Sequence, residues 1–221
     1  MHDILQLTIP QLLMRLTPLP MLIAGIIGLV RFRQLSPSLR YLAVGLNGFL
    51  LPLNLTGLVF LFLHRNNLFL MPIYTIGELW ILVLVYRQEL RSPAFTRLVP
   101  WLIGAFTCYA VLDTELARPD FTQFRPSQQI LQSFIVLILV GLYFRKVISE
   151  LWIVSLVKEP MFWISAGLLI YFLGYLQIAL FSNYLLQYSR TLNMNVWAVH
   201  SLLFIVLYMC YCRALWLPLQ K

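Results

Sequence analysis

Charged residues are scarce in this sequence: they make up 11% of its 221 residues, whereas 61% are hydrophobic. Soluble domains contain about a quarter charged residues and roughly half apolar ones. A soluble fold would leave much of this apolar surface in water, so the composition excludes an ordinary globular domain and indicates a protein that lies in lipid. The net charge is +8, but the basic residues lie between apolar runs. Membrane topology explains them, and no nucleic-acid partner is expected.

Lysine, histidine and cysteine are rare as well, and each shortage excludes a chemistry. A retinal-binding protein needs a lysine in its last membrane helix, but the only lysines are Lys146, Lys158 and Lys221, all outside the apolar runs. A zinc hydrolase needs three or more converging ligands, and the three histidines are far apart in the chain. The three cysteines fall in apolar segments, so we expect buried thiols and no disulfide. We expect no cofactor, no metal and no enzymatic activity.

Seven apolar runs are long enough to cross a bilayer, which takes about 20 residues of helix. We predict an all-α, polytopic membrane protein in which residues 1–221 form a single seven-helix transmembrane domain. The first run lacks a basic leader and a cleavage site, so we expect it to remain as a membrane helix. It is also the weakest run, because Arg15 and three prolines interrupt it. The predicted spans cover about 11–31, 41–63, 68–86, 98–113, 127–144, 161–182 and 196–214.

The basic residues indicate how the helices are oriented. Short cytoplasmic segments of bacterial membrane proteins are enriched in Lys and Arg. With the N-terminus outside and the C-terminus in the cytoplasm, the outer segments keep Arg15, Arg65, Arg118, Arg125 and Arg190. We therefore predict this orientation for a multi-pass protein of the bacterial inner (plasma) membrane, whose first partner is the lipid bilayer. The predicted cytoplasmic segments hold Arg31, Arg33, Arg40, Arg87, Arg91, Arg97, Arg145, Lys146, Lys158, Arg213 and Lys221.

Polar side chains within the spans are costly in lipid, so each is a candidate functional residue. Glu78 is the clearest, because it lies near the centre of span three and helical spacing places Tyr74 and Thr75 on its face. Asn54 of span two is expected at a similar depth, on one face with Asn47. We predict an outward-facing polar pocket that binds a small molecule or a lipid. Its predicted ligand-binding residues are Glu78, Tyr74, Thr75, Asn54, Tyr171, Gln177, His200 and Trp197.

A structural role stays open for several of these residues. Asn and Gln in membrane helices often bond to neighbouring helices, which would account for Asn47, Asn54 and Gln177. His200 fits an interhelical hydrogen bond, and a protonated Glu78 bonded to Asn54 would need no ligand.

Three functions fit this pattern, and a membrane sensor or receptor-like subunit is the one we favour. A small-solute transporter is the alternative, because three helices plus one plus three is the arrangement of the sugar-carrying SWEET proteins. Transport requires polar residues in the inner halves too, whereas those of spans three, six and seven are nearly all apolar. A lipid-acting intramembrane enzyme is a third alternative, but only His200 could serve as a second ionisable group beside Glu78.

The longest cytoplasmic connection offers a place for a signalling partner. Residues 145–160 place Ile148, Leu151, Trp152 and Leu156 at helical spacing, which fits an interfacial helix or an extension of the fifth span. Gly167 and Gly174 predict a small-residue face on span six for close helix contact. We expect a histidine kinase or another signalling protein to bind at this cytoplasmic face.

Three stretches resemble a known family: NNLFLMPIYTIGELW, KEPMFWISAGLLIYFLGYL and NVWAVHSLLFIVLY. They are similar to an uncharacterised family of small seven-helix membrane proteins of Bacteroidota, often encoded near sensor histidine kinases. The resemblance covers about two-thirds of the chain, from the second span onward. It implies a signalling neighbourhood rather than a mechanism. Its motif residues are Asn66, Asn67, Tyr74, Thr75, Glu78, Pro160, Phe162, Trp163, Gly167, Tyr171, Gly174, Trp197 and His200.

Overall fold

A computed structural model describes residues 9–63, 65–116, 126–150, 156–188 and 190–218, and every regular element in these ranges is helical. Three short segments join the longer helices: two 3₁₀ turns, Phe32–Gln34 and Leu156–Lys158, and a π-helical turn, Leu46–Leu50. The longer helices are α1 (Ile9–Leu16), α2 (Pro18–Val30), α3 (Pro37–Gly45), α4 (Leu51–Phe62), α5 (Leu70–Leu90), α6 (Pro93–Leu116), α7 (Ser127–Glu150), α8 (Pro160–Tyr188) and α9 (Arg190–Trp216).

Seven stretches of the described residues are long and apolar enough to cross a membrane, which confirms the predicted class of protein. We call the end of the bundle that holds the α4–α5 connection the predicted outer end, and the end that holds Arg31 and Arg145 the predicted inner end. Which end faces the cytoplasm stays a prediction. The seven stretches are Leu12–Val30, Pro37–Phe60, Leu70–Leu90, Pro93–Leu116, Ser127–Ser149, Pro160–Phe181 and Met194–Trp216.

Prolines explain where the first two spans depart from a plain helix. The first span divides at Thr17, directly before the prolines that begin α2. The second contains the π-helical turn just ahead of Pro52, which has no N–H to donate to the preceding turn. In that turn Asn47 donates to the carbonyls of Gly25 at 3.2 Å and Ala43 at 2.9 Å. Asn47 therefore ties the second span to α2.

Several helices are longer than the apolar runs that predicted them. The fourth span was expected to be short, yet α6 has 24 residues and continues through Pro100. The fifth span continues to Glu150, which fits the prediction that residues after 144 extend this helix. Residues 151–155 of the same segment, with Leu151 and Trp152, lie outside the described part. The three cysteines are free, as expected, but Cys108 is exposed and Cys210 and Cys212 are only half-buried. The expectation of a buried thiol is wrong at Cys108, because a membrane helix also presents apolar residues to lipid.

Helix α5 packs on α3, α6 and α7. Its buried residues include Leu79, Leu82, Val83 and Val85. The most extensive interface joins α8 to α9, and α9 in turn packs on α1 and α2. Helices α6 and α7 both pack on α5 but make little direct contact with each other.

Several glycines allow neighbouring helices to approach closely, among them Gly174 of α8, where a Cβ would collide with Cδ1 of Leu203 on α9. A Cβ on Gly77 of α5 would collide with the ring of Phe49, and a Cβ on Gly167 of α8 would lie 2.8 Å from the Cβ of Cys210 on α9. The prediction of a small-residue face for close helix contact on the sixth span is therefore confirmed at Gly167 and Gly174.

The first and last spans are joined at the predicted inner end. The Arg31 guanidinium donates to the backbone carbonyls of Leu215, at 3.4 Å, and Trp216. It also lies 5.6 Å from the centre of the Trp216 ring. Arg31 therefore satisfies carbonyl groups that the end of α9 leaves without helical partners.

Candidate functional site

A cleft of about 520 Å³ opens at the predicted outer end, between α1, α2, α4, α5 and α9. Most of its wall is apolar, from residues such as Leu58 and Met71. A few polar groups converge on it: Asn54 from α4, Asn67 from the α4–α5 connection, Tyr74 from α5, and Trp197 and His200 from α9. A mainly apolar wall with a few placed polar groups is the usual character of a small-molecule site.

The amide of Asn67 is partly used by the fold, because its Nδ2 donates to the carbonyl of Gly57 at 3.1 Å. This bond links the α4–α5 connection to α4, on the wall of the cleft. The connection between α4 and α5 is short, so the second and third spans must be adjacent and antiparallel, and this bond helps to hold them together.

His200 lies in a cluster of aromatic rings beside the cleft. Its Nε2 and the Tyr171 hydroxyl are 3.1 Å apart and share a hydrogen bond. Its ring centre is 4.9 Å from that of Tyr175 and 5.4 Å from that of Trp197. His200 thus joins the cleft to the interior of the α8–α9 interface.

Glu78 lies one helical turn deeper on α5 than Tyr74 and does not line the cleft. Its side chain is 6% exposed, and its Oε2 accepts a hydrogen bond of 2.7 Å from Nε2 of Gln132 on α7. Gln132 is 2% exposed. The mid-membrane carboxyl group is therefore held in a buried interhelical pair, as its high cost in lipid requires.

Several tyrosines surround this buried pair. Tyr74, Tyr171, Tyr208 and Tyr211 lie in the same interior region as Glu78. The hydroxyls of Tyr74 and Tyr208 are buried and lie near each other, and neither has a partner in hydrogen-bonding geometry among the described residues. Buried hydroxyls are usually bonded, so this region has unused hydrogen-bonding capacity directly behind the cleft.

The structure brings four of the predicted ligand-binding residues together: Asn54, Tyr74, Trp197 and His200 all line the cleft. Tyr171 lies behind His200, and Glu78 lies below Tyr74. The remaining two, Thr75 and Gln177, are elsewhere.

Thr75 is buried, but its hydroxyl donates to the Met71 carbonyl of its own helix at 2.8 Å. Gln177 is exposed on α8 and does not line the cleft. It is six residues from Tyr171, which places the two about 120° apart around the helix. The proposed bond between Glu78 and Asn54 is also not formed; the partner of Glu78 is Gln132.

Sequence reasoning missed Gln132 and the polar residues above it. Gln128 and Gln132 are four residues apart, which puts them on one face of α7. Gln128 Nε2 donates to Asp113 Oδ2 at 2.9 Å and to Thr114 Oγ1 at 3.0 Å, and Ser127 Oγ also donates to Asp113. We call these contacts the outer clasp between α6 and α7. The glutamine spacing was the available signal.

The inner half is less apolar than the sequence pattern suggested. Tyr86 of α5 and Ser165 of α8 share a buried hydrogen bond of 2.9 Å, and the nearby Tyr143 hydroxyl is buried with no partner in the part of the chain that the structure describes. At the inner surface, Glu89 Oε2 accepts a bond from Ser38 at 2.9 Å. Burial, and then the charge of Glu89, raise the pKa of Glu159 above its ordinary value, against smaller effects of the Met161 backbone and Lys146.

No group of three or more His, Cys, Asp or Glu side chains that could hold a metal ion occurs among the described residues.

No family model, curated protein or solved structure matches this chain.

Proposed function

We propose that this protein is a receptor-like sensor subunit of a bacterial inner membrane. In this proposal the outer cleft binds a small molecule, and a partner protein at the inner end carries the signal onward. The observation that supports it most is the convergence of Asn54, Tyr74, Trp197 and His200 on one cleft. Its volume of about 520 Å³ lies within the usual range for ligand pockets, roughly 300–1,000 Å³.

The wall of the cleft defines the class of ligand. Leucine, methionine and aromatic side chains favour an apolar body, and the amide of Asn54 and the imidazole of His200 can bond to one or two polar groups on it. Among the described residues no lysine or arginine lines the cleft, so its described wall offers no cation to a multiply charged anion. A small amphipathic molecule with an amide, hydroxyl or amine group fits best.

Tyr74 connects the cleft to the interior. It lines the cleft, and its buried hydroxyl lies close to Tyr208 and Glu78. A ligand that displaces Tyr74 would alter the packing between α5 and α9. A ligand shifts a conformational equilibrium only by its differential affinity for the two arrangements, so displacement of Tyr74 is the step through which binding becomes a signal.

Binding can be tested by thermal denaturation of the purified protein with a panel of small apolar molecules that each carry one amide, hydroxyl or amine. A ligand at 100 times its Kd stabilises by about 2.7 kcal/mol, which is roughly 5–11 °C for a chain of this size. We expect Asn54→Leu and His200→Phe to abolish the shift. Gln177→Leu is the matched control and should keep it. Stabilisation that survives both cleft substitutions would contradict the proposal.

Glu78→Gln tests the connection to the interior. It removes the carboxyl group at nearly constant volume, and Glu78 does not touch the cleft, so folding and binding should persist while the cellular response is lost. A variant that loses stability but keeps its response would make Glu78 purely structural.

The partner can be captured by a photo-crosslinking residue at Val157, which is 54% exposed at the predicted inner end. A crosslinker at Glu115, at the other end, is the control. We expect Val157 alone to capture a signalling protein such as a histidine kinase in native membranes. If only lipid is captured and deletion of a neighbouring kinase has no effect, the sensor proposal fails.

The second candidate function is transport of a small solute or proton. The buried Tyr86–Ser165 bond and the unpartnered Tyr143 hydroxyl favour it, because they extend polar groups below Glu78 into the inner half. Transport predicts that Tyr86→Phe stops flux into proteoliposomes, whereas a sensor would keep its ligand response in this variant.

A further inference from the structure

A groove runs between α6 and α7 on the outside of the bundle. The outer clasp joins these helices at one end, through the bonds from Gln128 and Ser127 to Asp113. Towards the predicted inner end the two helices make little contact, since each packs on α5 instead. The space between them is therefore open to the membrane on one side.

The deeper part of this groove is apolar. It has a volume of about 320 Å³ and is lined only by hydrocarbon and aromatic side chains from the two helices. Trp101 and Ile138 on its rim are 78% and 62% exposed. The lining residues are Phe95, Leu98, Trp101, Leu102, Ile135, Ile138, Leu139 and Leu142.

The inner part of the groove is cationic. A second cavity of about 380 Å³ shares Phe95, Leu98 and Leu142 with the first, so the two are continuous. It is also lined by Arg145, Lys146 and the hydroxyl-bearing Ser92 and Ser149.

The two cations differ in how much of their bonding capacity is free. Lys146 Nζ donates to the Glu89 carbonyl at 2.7 Å, which leaves two of its three donors. Arg145 is exposed and bonds to no other described residue. Among the described side chains, the acidic groups nearby are Glu89, whose carboxylate bonds to Ser38, and Glu159, which is close to Lys146.

Distance along α7 matches one leaflet of a bilayer. From Ile135 at the deep end to Arg145, ten residues of helix rise about 15 Å. Half of a hydrocarbon core of about 30 Å is the same length. A molecule that places its charge between Arg145 and Lys146 would therefore lay its chains along the apolar groove.

We propose that this groove is a specific site for one anionic phospholipid from the leaflet at the predicted inner end. The phosphate binds Arg145 and Lys146, and the acyl chains fill the space between α6 and α7. Basic pockets between membrane helices bind anionic headgroups in this way. The site is separate from the outer cleft and does not depend on the proposed sensor function.

The test compares delipidated protein in neutral detergent with added dioleoyl phosphatidylglycerol, dioleoyl phosphatidylcholine or free glycerol 3-phosphate. Binding is measured by native mass spectrometry and by the lipid-induced rise in Tm. We expect phosphatidylglycerol to bind more tightly than phosphatidylcholine. Arg145→Gln with Lys146→Gln should weaken it by about 30-fold, at roughly 1 kcal/mol for each basic residue near the surface. Arg145→Gln alone keeps the test valid if the double variant does not fold.

The matched control is Arg87→Gln with Arg97→Gln, which removes two charges from a neighbouring cleft at the same end. It should keep the preference for phosphatidylglycerol. Leu98→Trp, which fills the groove and leaves both cations, should weaken binding of either lipid. If the Arg87/Arg97 control loses as much affinity for phosphatidylglycerol as the Arg145/Lys146 variant, the binding is general charge attraction and the proposal is overturned. Equal binding of both lipids would also overturn it, and glycerol phosphate binding as tightly as the whole lipid would replace it with a free-phosphate site.

Discussion

The buried pair of Glu78 and Gln132 gives the sharpest energetic prediction. Gln132 Nε2 is the one described donor to the Glu78 carboxyl group, 2.7 Å from Oε2. Gln132→Leu removes this donor and leaves the carboxyl group buried. An unsatisfied buried polar group costs about 1–3 kcal/mol, and more if it is charged. For a chain of this length the Tm should fall by roughly 2–12 °C.

A double-mutant cycle isolates the bond itself. We expect Glu78→Leu alone to leave Gln132 unsatisfied, and the double change to recover much of the loss, because replacing both partners by apolar groups is nearly neutral. The coupling energy also reports the state of the carboxyl group. Interhelical bonds in membranes average about 0.6 kcal/mol and reach about 1.7 kcal/mol, so a coupling in this range indicates a protonated, neutral carboxyl group. Bonds to charged groups contribute about 1.5–3 kcal/mol, so a coupling above the first range indicates an ionised one.

Reversible unfolding in mixed detergent micelles would measure this cycle, with Gln129→Leu as the control. Gln129 lies on the same helix, is buried, and has an Oε1 without a partner among the described residues. Its replacement should therefore cost little or raise stability. If the Glu78 and Gln132 substitutions prove additive within about 0.3 kcal/mol, the bond does not hold α5 to α7 and the account of the buried site is wrong.

Three further predictions concern topology, packing and pH. In a background without native cysteines, Glu115→Cys should react with an impermeant reagent from outside and Ala94→Cys only after permeabilisation; the reverse would invert the orientation. Gly77→Ala should lower stability by about 1–3 kcal/mol through overpacking, whereas Gly104→Ala, which has open space around it, should not. Burial raises the pKa of Glu159, so the folded state holds this proton more tightly than the unfolded state. Stability should therefore fall as pH rises from the ordinary carboxyl pKa to the raised value. Glu159→Gln should flatten that decline in Tm.

The spans could be predicted because lipid allows few alternatives. A backbone in hydrocarbon must satisfy its own hydrogen bonds, so apolar length alone indicates a helix. The boundaries were less predictable, because several helices continue into polar segments beyond their apolar runs, as α7 does to Glu150, and α6 also continues through Pro100. Flanking helices and neighbouring side chains can tolerate such a residue within a membrane helix.

The site was harder to predict, because it depends on which helices are neighbours. Glu78 was identified from its cost in lipid, yet nothing in span three indicates that its partner is on α7. The sequence does show which face of its own helix a residue occupies, and the spacing alone puts Gln177 and Tyr171 on different faces of α8. What helical periodicity cannot supply is the rotation of α7 that turns Gln132 towards α5, since that depends on the packing of Tyr143 and its buried neighbours.

The bond from Arg31 to the end of α9 also bears on how the protein is made. Helices of a polytopic protein leave the translocation machinery in chain order, so α2 is in the membrane well before α9 is synthesised. Until then the guanidinium of Arg31 has no carbonyl partners from Leu215 and Trp216, and the face of α2 that later packs on α9 is open. Since α9 also packs on α1, its arrival completes the packing of the first span, and before that step an arginine and an apolar helix face both lack their final partners.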